Sequence, residues 1–406
     1  MSWVPDAAGS SYDLDNLPYG VFSVGDTPPR VGVRIGDFVM DAPAVAALGG
    51  DPGDGPDLAT AWARPSLNFF LSLGAPTWRI AREWLVEVLG HEVHQERVEP
   101  LLVPVDDATM HLPFEVADYV DFYCSLQHAT NVGRIFRPDA PALPPNWRHL
   151  PIGYHGRAGT VVVSGTTVTR PSGQRLPPGS SRGAPTPEFG PTRRLDIEAE
   201  LGFVVGTPSP RGEPVPTSAF AEHVFGVTPL NDWSARDLQA WEYVPLGPFL
   251  AKSFATTVSA WVTPLAALSH ARVPLPGQSP PPLPHLAVEE PAGFDIALEI
   301  VLNGEVVSRP PYASMYWSPA QMLAHLTSNG ASLRTGDLYA SGTISGDERD
   351  QRGSLLELSW GGREPFGSGR SFLEDGDTVT LRATAPGALG GRIALGEVTG
   401  TVLPSV

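Results

Sequence analysis

The densest group of side chains able to do chemistry lies between Asn231 and Thr257, where acids, an arginine, a glutamine, a tyrosine and a lysine stand among aromatic residues and prolines. Ser234 precedes Asp237 by three residues, a spacing that predicts a helix start with the serine hydroxyl capping free N–H groups. Steps of three and four along that helix place three polar residues on one face, namely Arg236, Gln239 and Tyr243.

Two more charged residues flank the predicted helix. Asp232 stands just before Ser234, and Lys252 follows a break at 244–248 that contains two prolines and a glycine. A carboxylate, a guanidinium, an amide, a phenol and an ammonium can therefore converge on one spot. This mixture predicts the wall of a site for a small, oxygen-rich molecule.

A second group of acids lies in an alternating stretch, residues 195–203. Its apolar residues alternate with Asp196, Glu198 and Glu200, which predicts a strand with a face of three carboxylates. Neighbours on that face are only about 7 Å apart, so a cation would relieve their repulsion. The alternative is a solvated strand face. The candidate ligands are four acids, Asp121, Glu198, Glu200 and Asp232, and such oxygen donors favour calcium or magnesium over zinc.

A candidate general base is His128, which stands seven residues after Asp121, so that the two residues would share a face if both were helical. An imidazole suits proton transfer near neutral pH, although a lone histidine is more often structural. Glu357 lies in an apolar segment interpreted as a strand, and a buried acid needs a partner. Glu357 is therefore the candidate to orient His128. Cys124 has no second feature that supports thiol catalysis, and a packed bystander is the favoured interpretation.

Composition limits the possible functions of the 406-residue chain. The formal net charge of −17 disfavours nucleic acid and anionic membranes as partners. A single cysteine rules out an intrachain disulfide, and we identify neither a secretory signal nor a spanning helix. We therefore expect a soluble, cytoplasmic protein. The 43 glycines, 44 prolines and 17% charged residues favour many short strands joined by turns.

Two domains are expected, residues 1–115 and 116–406. In the first, residues 19–24 and 30–41 alternate as strands, with a hairpin turn at Gly36-Asp37, and a helix is predicted from Pro76 to Gly90. This part gathers no ionisable groups, which is typical of a small accessory domain. In the second, two proline-rich stretches predict a long loop at 171–192 and a surface excursion at 274–284. A hairpin at Asn303-Gly304 and a helix capped by Ser318 are also predicted.

Several motifs resemble the fumarylacetoacetase family. They are DFYCSLQHATNVG (121–133), LPIGYHGRA (150–158), LDIEAELGFVVG (195–206), the stretch 231–257, SGTISG (341–346) and GSLLELSW (353–360). In the N-terminal part, NLPYGVFS, PRVGVRIGD, LNFFLSLG and MHLP are similar to the same family. The likeness therefore extends over nearly the whole chain.

The resemblance implies a mainly β (α+β) fold, with a small SH3-like N-terminal barrel and a large mixed β-roll catalytic domain, in a homodimer. It implies hydrolysis of the carbon–carbon bond of 4-fumarylacetoacetate, a diketo dicarboxylate, to fumarate and acetoacetate in tyrosine and phenylalanine catabolism. The implied cofactor is Mg²⁺ or Ca²⁺, held by Asp121, Glu198, Glu200 and Asp232, with Lys252 and Thr256 near a second cation site.

The resemblance also implies roles for individual side chains. His128 matches the general base and Glu357 the acid that orients it, while the oxyanion would be held by Arg236, Gln239 and Lys252. The implied substrate contacts are Tyr123, Arg137, Tyr154, Gln239, Tyr243 and Thr343. One departure is Ala255, which stands where the family usually has glycine.

Two alternatives stay open. The first is another enzyme of the same superfamily, such as an acylpyruvate hydrolase or an oxaloacetate decarboxylase, although those relatives generally lack the N-terminal part. The second is a catalytically inactive calcium-binding interaction protein. That alternative would not need His128, Glu357 or Arg236, because a cation site alone requires none of them.

Overall fold

Antiparallel strands and helices alternate in the N-terminal part of the chain. The computed structural model describes residues 1–49, 57–177, 186–367 and 369–406. The strands here are β1 (Tyr19–Ser23), β2 (Arg30–Ile35), β3 (Phe38–Asp41), β4 (Leu102–Pro104) and β5 (Thr109–His111). The helices are α1 (Ala42–Ala47), α2 (Leu58–Trp62), α3 (Asn68–Ser72), α4 (Gly74–Gly90) and α5 (Gln95–Val98).

The strands predicted in this part are confirmed. Gly36 takes a positive φ of 53° in the turn between β2 and β3, a conformation that glycine adopts without steric cost. The predicted helix begins at Gly74, two residues before Pro76, and ends at Gly90 as expected. Its buried side packs Trp78, Trp84 and Leu85 into the N-terminal core.

The rest of the chain is richer in strands. Its strands are β6 (Tyr119–Phe122), β7 (Gly153–His155), β8 (Val161–Val163), β9 (Val168–Thr169), β10 (Ser172–Arg175), β11 (Glu188–Pro191), β12 (Leu195–Asp196), β13 (Ala199–Val205), β14 (Val224–Asp232), β15 (Ser234–Ala235), β16 (Thr256–Val258), β17 (Trp261–Pro264), β18 (Arg272–Val273), β19 (Gly293–Phe294), β20 (Ala297–Leu302), β21 (Glu305–Ser308), β22 (Leu338–Ala340), β23 (Thr378–Pro386) and β24 (Arg392–Leu403). Its helices are α6 (Leu126–Phe136), α7 (Phe220–His223), α8 (Arg236–Glu242), α9 (Pro319–Thr327) and α10 (Leu355–Leu358).

One large sheet connects the two parts of the chain. Its strand order is β4-β3-β2-β1-β17-β14-β13-β22-β6-β7. The junction is β1, because Tyr19 pairs with Val262 of β17 while Val21 pairs with His111 of β5. Every residue of β13 and β14 is buried, as expected for strands covered on both faces.

A second sheet, β21-β20-β23-β24-β9, packs against the first through β23, β24 and β14. The apolar side chains between them form the main core of the C-terminal part. The hairpin predicted at Asn303-Gly304 joins β20 and β21, with a positive φ at both residues. The capping box predicted at Ser318 opens α9. The fold is therefore α+β and mostly sheet, with an N-terminal domain followed by a larger C-terminal one, as predicted.

Three local predictions are wrong. The loop expected at 171–192 contains the paired strands β10 and β11, and its residues 178–185 lie outside the described part of the chain. The LLEL segment is helix α10, because the Ser354 hydroxyl accepts the Glu357 N–H and starts a helical turn. The strand expected across 195–203 is broken between β12 and β13, so Asp196 and Glu200 belong to different sheets. Within the described residues, no helix is long and apolar enough to cross a bilayer.

Candidate active site

Four acidic side chains meet in the interior of the C-terminal part: Asp121, Glu198, Glu200 and Asp232. Each offers a carboxylate oxygen, and these oxygens all lie within 4.8 Å of one another. All four residues are buried. The structure therefore brings together every acid that the sequence analysis selected as a candidate metal ligand.

Three strands of the large sheet, β14, its neighbour β13, and β6 beyond β22, position these acids. Asp121 is on β6, Glu200 is near the start of β13, and Asp232 is the last residue of β14. Glu198 stands just before β13, where its carbonyl accepts the Asp232 N–H at 3.2 Å. Since Ser125 caps helix α6 by accepting the His128 N–H, the helix begins after Asp121. The expected shared helical face of Asp121 and His128 is therefore wrong, although both border one cavity.

The cluster has the properties of a cation site. Asp121 Oδ1 and Glu200 Oε1 are buried, and neither has a hydrogen-bond partner among the described residues. The second Glu200 oxygen accepts the Gly342 N–H at 3.1 Å. Buried carboxylate oxygens without donors are costly, and a divalent cation with a preference for oxygen ligands would satisfy them. The residues present therefore fit a metal ion.

Two buried cations lie against the cluster. Lys252 Nζ lies 2.5 Å from Glu198 Oε2 and 2.6 Å from Asp232 Oδ2. Arg236 Nη1 lies 2.8 Å from Glu198 Oε1 and donates to Gln239 Oε1 at 3.1 Å. Arg236 Nη2 is buried without a partner among the described residues, so it remains a free donor.

The pKa is raised in three of the four acids, Asp121, Glu200 and Asp232, chiefly by burial, and lowered in Glu198. Burial, followed by the nearby Asp232 carboxylate, raises the pKa of Asp121 well above its usual value. Burial and then the Asp121 charge raise the pKa of Glu200 in the same way. Burial opposes ionisation of Glu198 too, but Lys252 and Arg236 outweigh it and lower its pKa. Asp121 and Glu200 are therefore the carboxylates that most lack positive charge.

His128 and Glu357 form a buried pair beside the cluster. His128 Nδ1 lies 2.6 Å from Glu357 Oε2, and His128 Nε2 lies 3.9 Å from Glu198 Oε1. Although burial opposes its ionisation, the His128 contact lowers the pKa of Glu357, which keeps it a carboxylate. The pairing suggested by the sequence is thus present, with Nε2 on the side of the carboxylate cluster.

The sequence analysis missed the groups that hold Glu357. Its Oε1 accepts the Asn131 amide at 2.9 Å, and its Oε2 accepts the hydroxyls of Ser345 and Ser354 at 3.0 and 2.8 Å. Asn131 stands three residues after His128 on α6, so helical spacing was the available signal. Ser354 stands three residues before Glu357, where its capping position could have been recognised. Nothing local to Ser345 could have identified it.

A cavity of about 460 Å³ opens beside this group. It is lined by the predicted site residues Asp121, Tyr123, His128, Arg137, Tyr154, Glu198, Arg236, Gln239, Tyr243, Lys252 and Thr343. The Tyr123 ring meets the His128 ring edge-on, with centroids 5.4 Å apart. The Thr343 hydroxyl is buried without a partner among the described residues. Apolar walls that the sequence analysis did not select come from Val132, Phe136, Ile152 and Leu246.

Thr256 lies on the other side of Lys252. A second, smaller cavity of about 180 Å³ is lined by Thr256, Asp232 and Lys252, together with Tyr154 and Arg157. The Tyr154 hydroxyl donates to Asp232 Oδ2 at 3.3 Å, so Tyr154 stands between the two cavities. The predicted neighbourhood of Lys252 and Thr256 is thus present next to the carboxylate cluster.

The helix that carries Arg236 begins differently from the prediction. Ser234 belongs to β15, and α8 starts at Arg236 after Ala235, with no side-chain cap. Asp237 instead accepts the Arg193 N–H at 2.9 Å and the Thr192 hydroxyl. The predicted shared face is confirmed, because Arg236, Gln239 and Tyr243 all line the larger cavity.

Asp196 has a structural partner that the alternating pattern did not indicate. Its Oδ2 lies 2.7 Å from Arg236 Nε, and its oxygens accept the N–H groups of Leu355 and Leu356 at 2.7 and 3.0 Å. Asp196 therefore lies outside the cluster of four acids. It holds the Arg236 side chain and the start of α10 together.

Two family models match almost the whole chain. The family described as "Fumarylacetoacetate (FAA) hydrolase C-terminal" matches residues 118–402, and the one described as "Fumarylacetoacetase N-terminal" matches residues 15–113. The chain is also similar to curated proteins named fumarylacetoacetase. It is 47% identical to that of Homo sapiens over 100% of this chain and 99% of that protein, and 43% identical to that of Oryza sativa subsp. japonica over 100% and 97%.

Solved structures share the fold at low sequence identity. A fumarylacetoacetate hydrolase from psychrophilic Exiguobacterium antarcticum superposes with a TM-score of 0.54 at 16% identity, covering 96% of this chain and 99% of that one. An inhibitor complex of Cg1458 gives a TM-score of 0.52 at 14% identity, covering 96% and 100%.

Proposed function

The chain belongs to the fumarylacetoacetase family, and from this premise we propose that it hydrolyses the carbon–carbon bond of 4-fumarylacetoacetate to fumarate and acetoacetate. The reaction would serve tyrosine and phenylalanine catabolism. The observation that supports it best is that His128, which is paired with Glu357, lines the same cavity as Arg236 and two of the clustered acids, Asp121 and Glu198.

We assign the metal ligands to Asp121, Glu198, Glu200 and Asp232, with Mg²⁺ or Ca²⁺ as the ion. The support is the all-oxygen donor set and the two buried carboxylate oxygens that have no other partner within the described residues. A divalent cation bound there would supply Lewis-acid stabilisation of negative charge on the diketone. Lys252 and Thr256 would border a second cation in the smaller cavity.

His128 would act as the general base. Because Nδ1 faces the Glu357 carboxylate, that nitrogen carries the proton and Nε2 is the basic atom. Nε2 takes a proton from water, and the resulting hydroxide adds to the carbonyl carbon on the fumaroyl side of the scissile bond. Glu357 keeps the imidazole in this orientation and stabilises the positive charge that develops on it.

Arg236, Gln239 and Lys252 would stabilise the tetrahedral oxyanion. Counting partners among the described residues, Arg236 Nη2 is a free buried donor, and the Lys252 ammonium uses two of its three N–H groups on Glu198 and Asp232. A single well-placed donor is commonly worth about 3–4 kcal/mol of transition-state stabilisation. Collapse of the oxyanion breaks the carbon–carbon bond, and the proton held by His128 passes to the carbon of the departing acetoacetate.

The remaining lining residues would position the substrate. Arg137 offers a guanidinium for one terminal carboxylate. Within the described parts of the chain, its side chain makes one hydrogen bond, from Nη2 to the Ala142 carbonyl at 3.1 Å. The other contacts would be hydroxyl or amide groups that line the same cavity, from Tyr123, Tyr154, Gln239, Tyr243 and Thr343.

We also propose a homodimer in the cytoplasm and a division of the chain into residues 1–115 and 116–406. The dimer and the location are supported by the family resemblance alone. The division is supported by the two family models, which meet between residues 113 and 118.

The test is a comparison of substrates. Loss of diketone absorbance is followed with fumarylacetoacetate and with acylpyruvates, each with added Mg²⁺. We expect kcat/KM for fumarylacetoacetate to exceed that for any acylpyruvate by at least tenfold. A preference for acylpyruvates would favour the other superfamily enzymes, and no turnover of either would favour an inactive cation-binding protein.

A further inference from the structure

A second large cavity, of about 740 Å³, lies outside the proposed active site. It is bordered by helix α4 on one side and by the 3-10 helix Leu265–Ala271 on the other. It shares no lining residue with the cavity that contains His128. None of its lining residues has a role in the proposed reaction.

The walls of this cavity are largely apolar. Trp78, Val224, Phe225 and Leu265 line it. The Trp78 indole N–H already donates to the Leu71 carbonyl at 3.1 Å, so the ring offers only its apolar surface. The Trp78 and Phe225 rings meet edge-on, with centroids 5.3 Å apart. These side chains form a surface suited to a hydrocarbon or aromatic group.

The charged lining residues are mostly positive in a chain whose formal net charge is −17. Arg79, Arg82 and Arg272 line the cavity, and Glu83 is the acid among them. Arg79 reaches Glu83 only at 4.0 Å, and both side chains are well exposed. Such a weak, exposed pair leaves Arg79 free to meet an anion.

Arg272 is the least satisfied of these cations. Its guanidinium lies 4.3 Å from the centroid of the Phe294 ring, and no hydrogen bond or ion pair holds it among the described residues. Arg82, by contrast, donates to the carbonyls of Asn16 and Asp15 at 2.8 and 2.6 Å. A half-buried guanidinium stacked on an aromatic ring keeps its N–H fork available for a carboxylate.

Tyr19 adds an unsatisfied polar group beside the same cavity. Its side chain is buried, and its hydroxyl has no hydrogen-bond partner among the described residues. Tyr19 also belongs to β1, the strand that joins the N-terminal part to β17. The cavity therefore lies at the junction of the two parts of the chain.

We propose that this cavity binds a small organic monocarboxylate with an apolar body. The carboxylate pairs with Arg272, and the body packs against Trp78 and Phe225. Charge complementarity and apolar walls together define this class of ligand: the guanidinium requires an anion, and the walls favour a hydrocarbon or aromatic body over a highly hydrated anion.

The test is isothermal titration calorimetry of the full chain with octanoate as the probe. Octan-1-ol supplies the same body without the charge, and acetate supplies the charge without the body. We expect octanoate to bind more tightly than either by about tenfold or more. Equal binding of octanol and octanoate, or no octanoate binding at millimolar concentration, would overturn the proposal.

Variants place the probe in this cavity. Arg272→Gln and Ala266→Trp are each expected to weaken octanoate binding about tenfold or more, the first by removing the charge and the second by filling space with an exposed residue of the lining. Arg309→Gln is the matched control, because Arg309 is an exposed arginine whose ion-pair partner among the described residues is Glu299, outside this cavity. If Ala266→Trp does not fold, Arg79→Gln replaces it. Arg79 is an exposed cation of the lining on α4, and its loss is likewise expected to weaken octanoate binding.

Turnover assays distinguish octanoate bound in this cavity from octanoate bound in the active site. The variants are expected to keep the parent rate, because none of these residues belongs to the proposed active site. Octanoate that binds all variants equally, and inhibits competitively, lies in the active site and contradicts the proposal. The remaining alternative is that a second copy of the chain covers the cavity. In that case Ala266→Trp would change the sedimenting mass and the parent would not bind octanoate, and this result would also contradict the proposal.

Discussion

Asn131 donates its side-chain amide to Glu357 Oε1 at 2.9 Å, while His128, one helical turn earlier, faces the other oxygen of the same carboxylate. The two side chains of α6 therefore contact the two oxygens of one carboxylate. With Ser345 and Ser354, they fix the position of Glu357 and hence of the imidazole.

Asn131→Ala is expected to lower kcat about tenfold and to change KM little. A hydrogen bond to a buried charged group is worth roughly 1.5–3 kcal/mol, and here its loss loosens the group that orients the base. Steady-state kinetics measure this split. Gln127→Ala is the control on the same helix, because the Gln127 amide also donates to a carboxylate, that of Asp347, but at an exposed position outside the cavity. Equal losses in both variants would mean that Asn131 acts only through helix stability.

His128→Ala is expected to lower kcat by 10²–10⁴-fold, on the order found for loss of a general base. Binding of the cation should persist, because His128 is not one of the four clustered acids. Turnover assays and calcium titration of the same preparation measure the two properties separately. Near-normal turnover in this variant would show that the base has been misassigned.

Gly342→Ala is expected to weaken cation binding and to lower stability. Gly342 has a φ of 74°, and an added Cβ would lie 2.2 Å from the Phe122 carbonyl oxygen, next to Asp121 on β6. The backbone shift would also disturb the N–H that holds Glu200. Gly390→Ala is the matched control, since Gly390 has a φ of 85° but open space around it. It should show only the left-handed backbone strain of roughly 1–2 kcal/mol in the free energy of unfolding. Equal effects of the two substitutions on calcium affinity would contradict this account.

Asp337 provides a pH-dependent test outside the site. Burial raises its pKa to about 6 from an ordinary value of 3.8, although the Arg334 N–H and side chain favour its charged form. The folded state thus holds this proton more tightly than the unfolded state does. The contribution of Asp337 to stability is therefore fully present below pH 3.8 and is lost as the pH rises through 6.

Asp337→Asn should accordingly gain stability relative to the parent as the pH rises from 4 to 7, measured by urea unfolding. Asp377→Asn should behave differently: it should be less stable than the parent at neutral pH, with a difference that stays constant down to about pH 4 and shrinks only as the pH falls below 3.8. Burial opposes ionisation of Asp377, but Asn303 and Arg370 lower its pKa, so its contribution is present at neutral pH and lost in acid. A pH-independent difference between Asp337→Asn and the parent would show that the carboxyl does not titrate in this range.

Local patterns in the sequence identified much of the fold. Hairpins at Gly36-Asp37 and Asn303-Gly304 were predicted because their turns require particular residues. Helix α9 was predicted from the capping box that Ser318 forms with Gln321. The segment Leu355–Leu358 was wrongly interpreted as a strand. Four residues are too few for their hydrophobic pattern to distinguish a strand from a short helix. The spacing from Ser354 was the overlooked signal.

The site itself depended on contacts between distant segments. Asp121, Glu200 and Asp232 come together because one sheet holds their strands in the order β14-β13-β22-β6, an order that no local pattern specifies. Asp196 shares its alternation with Glu198 and Glu200, yet it turns to Arg236 and the start of α10. Residue type selected the four candidate ligands and the family resemblance supported them, whereas Ser345, which also holds Glu357, could be found only in three dimensions.

The central claim is that a divalent cation in the carboxylate cluster and the His128–Glu357 pair act on one substrate. The most direct measurement is the rate of loss of diketone absorbance from fumarylacetoacetate after exhaustive chelation, and again after Mg²⁺ or Ca²⁺ is restored. We expect the rate to fall at least 100-fold on chelation and to recover on addition of the ion, while Asp121→Asn, which alters one carboxylate, recovers poorly. Full activity in the rigorously metal-free protein would contradict the account.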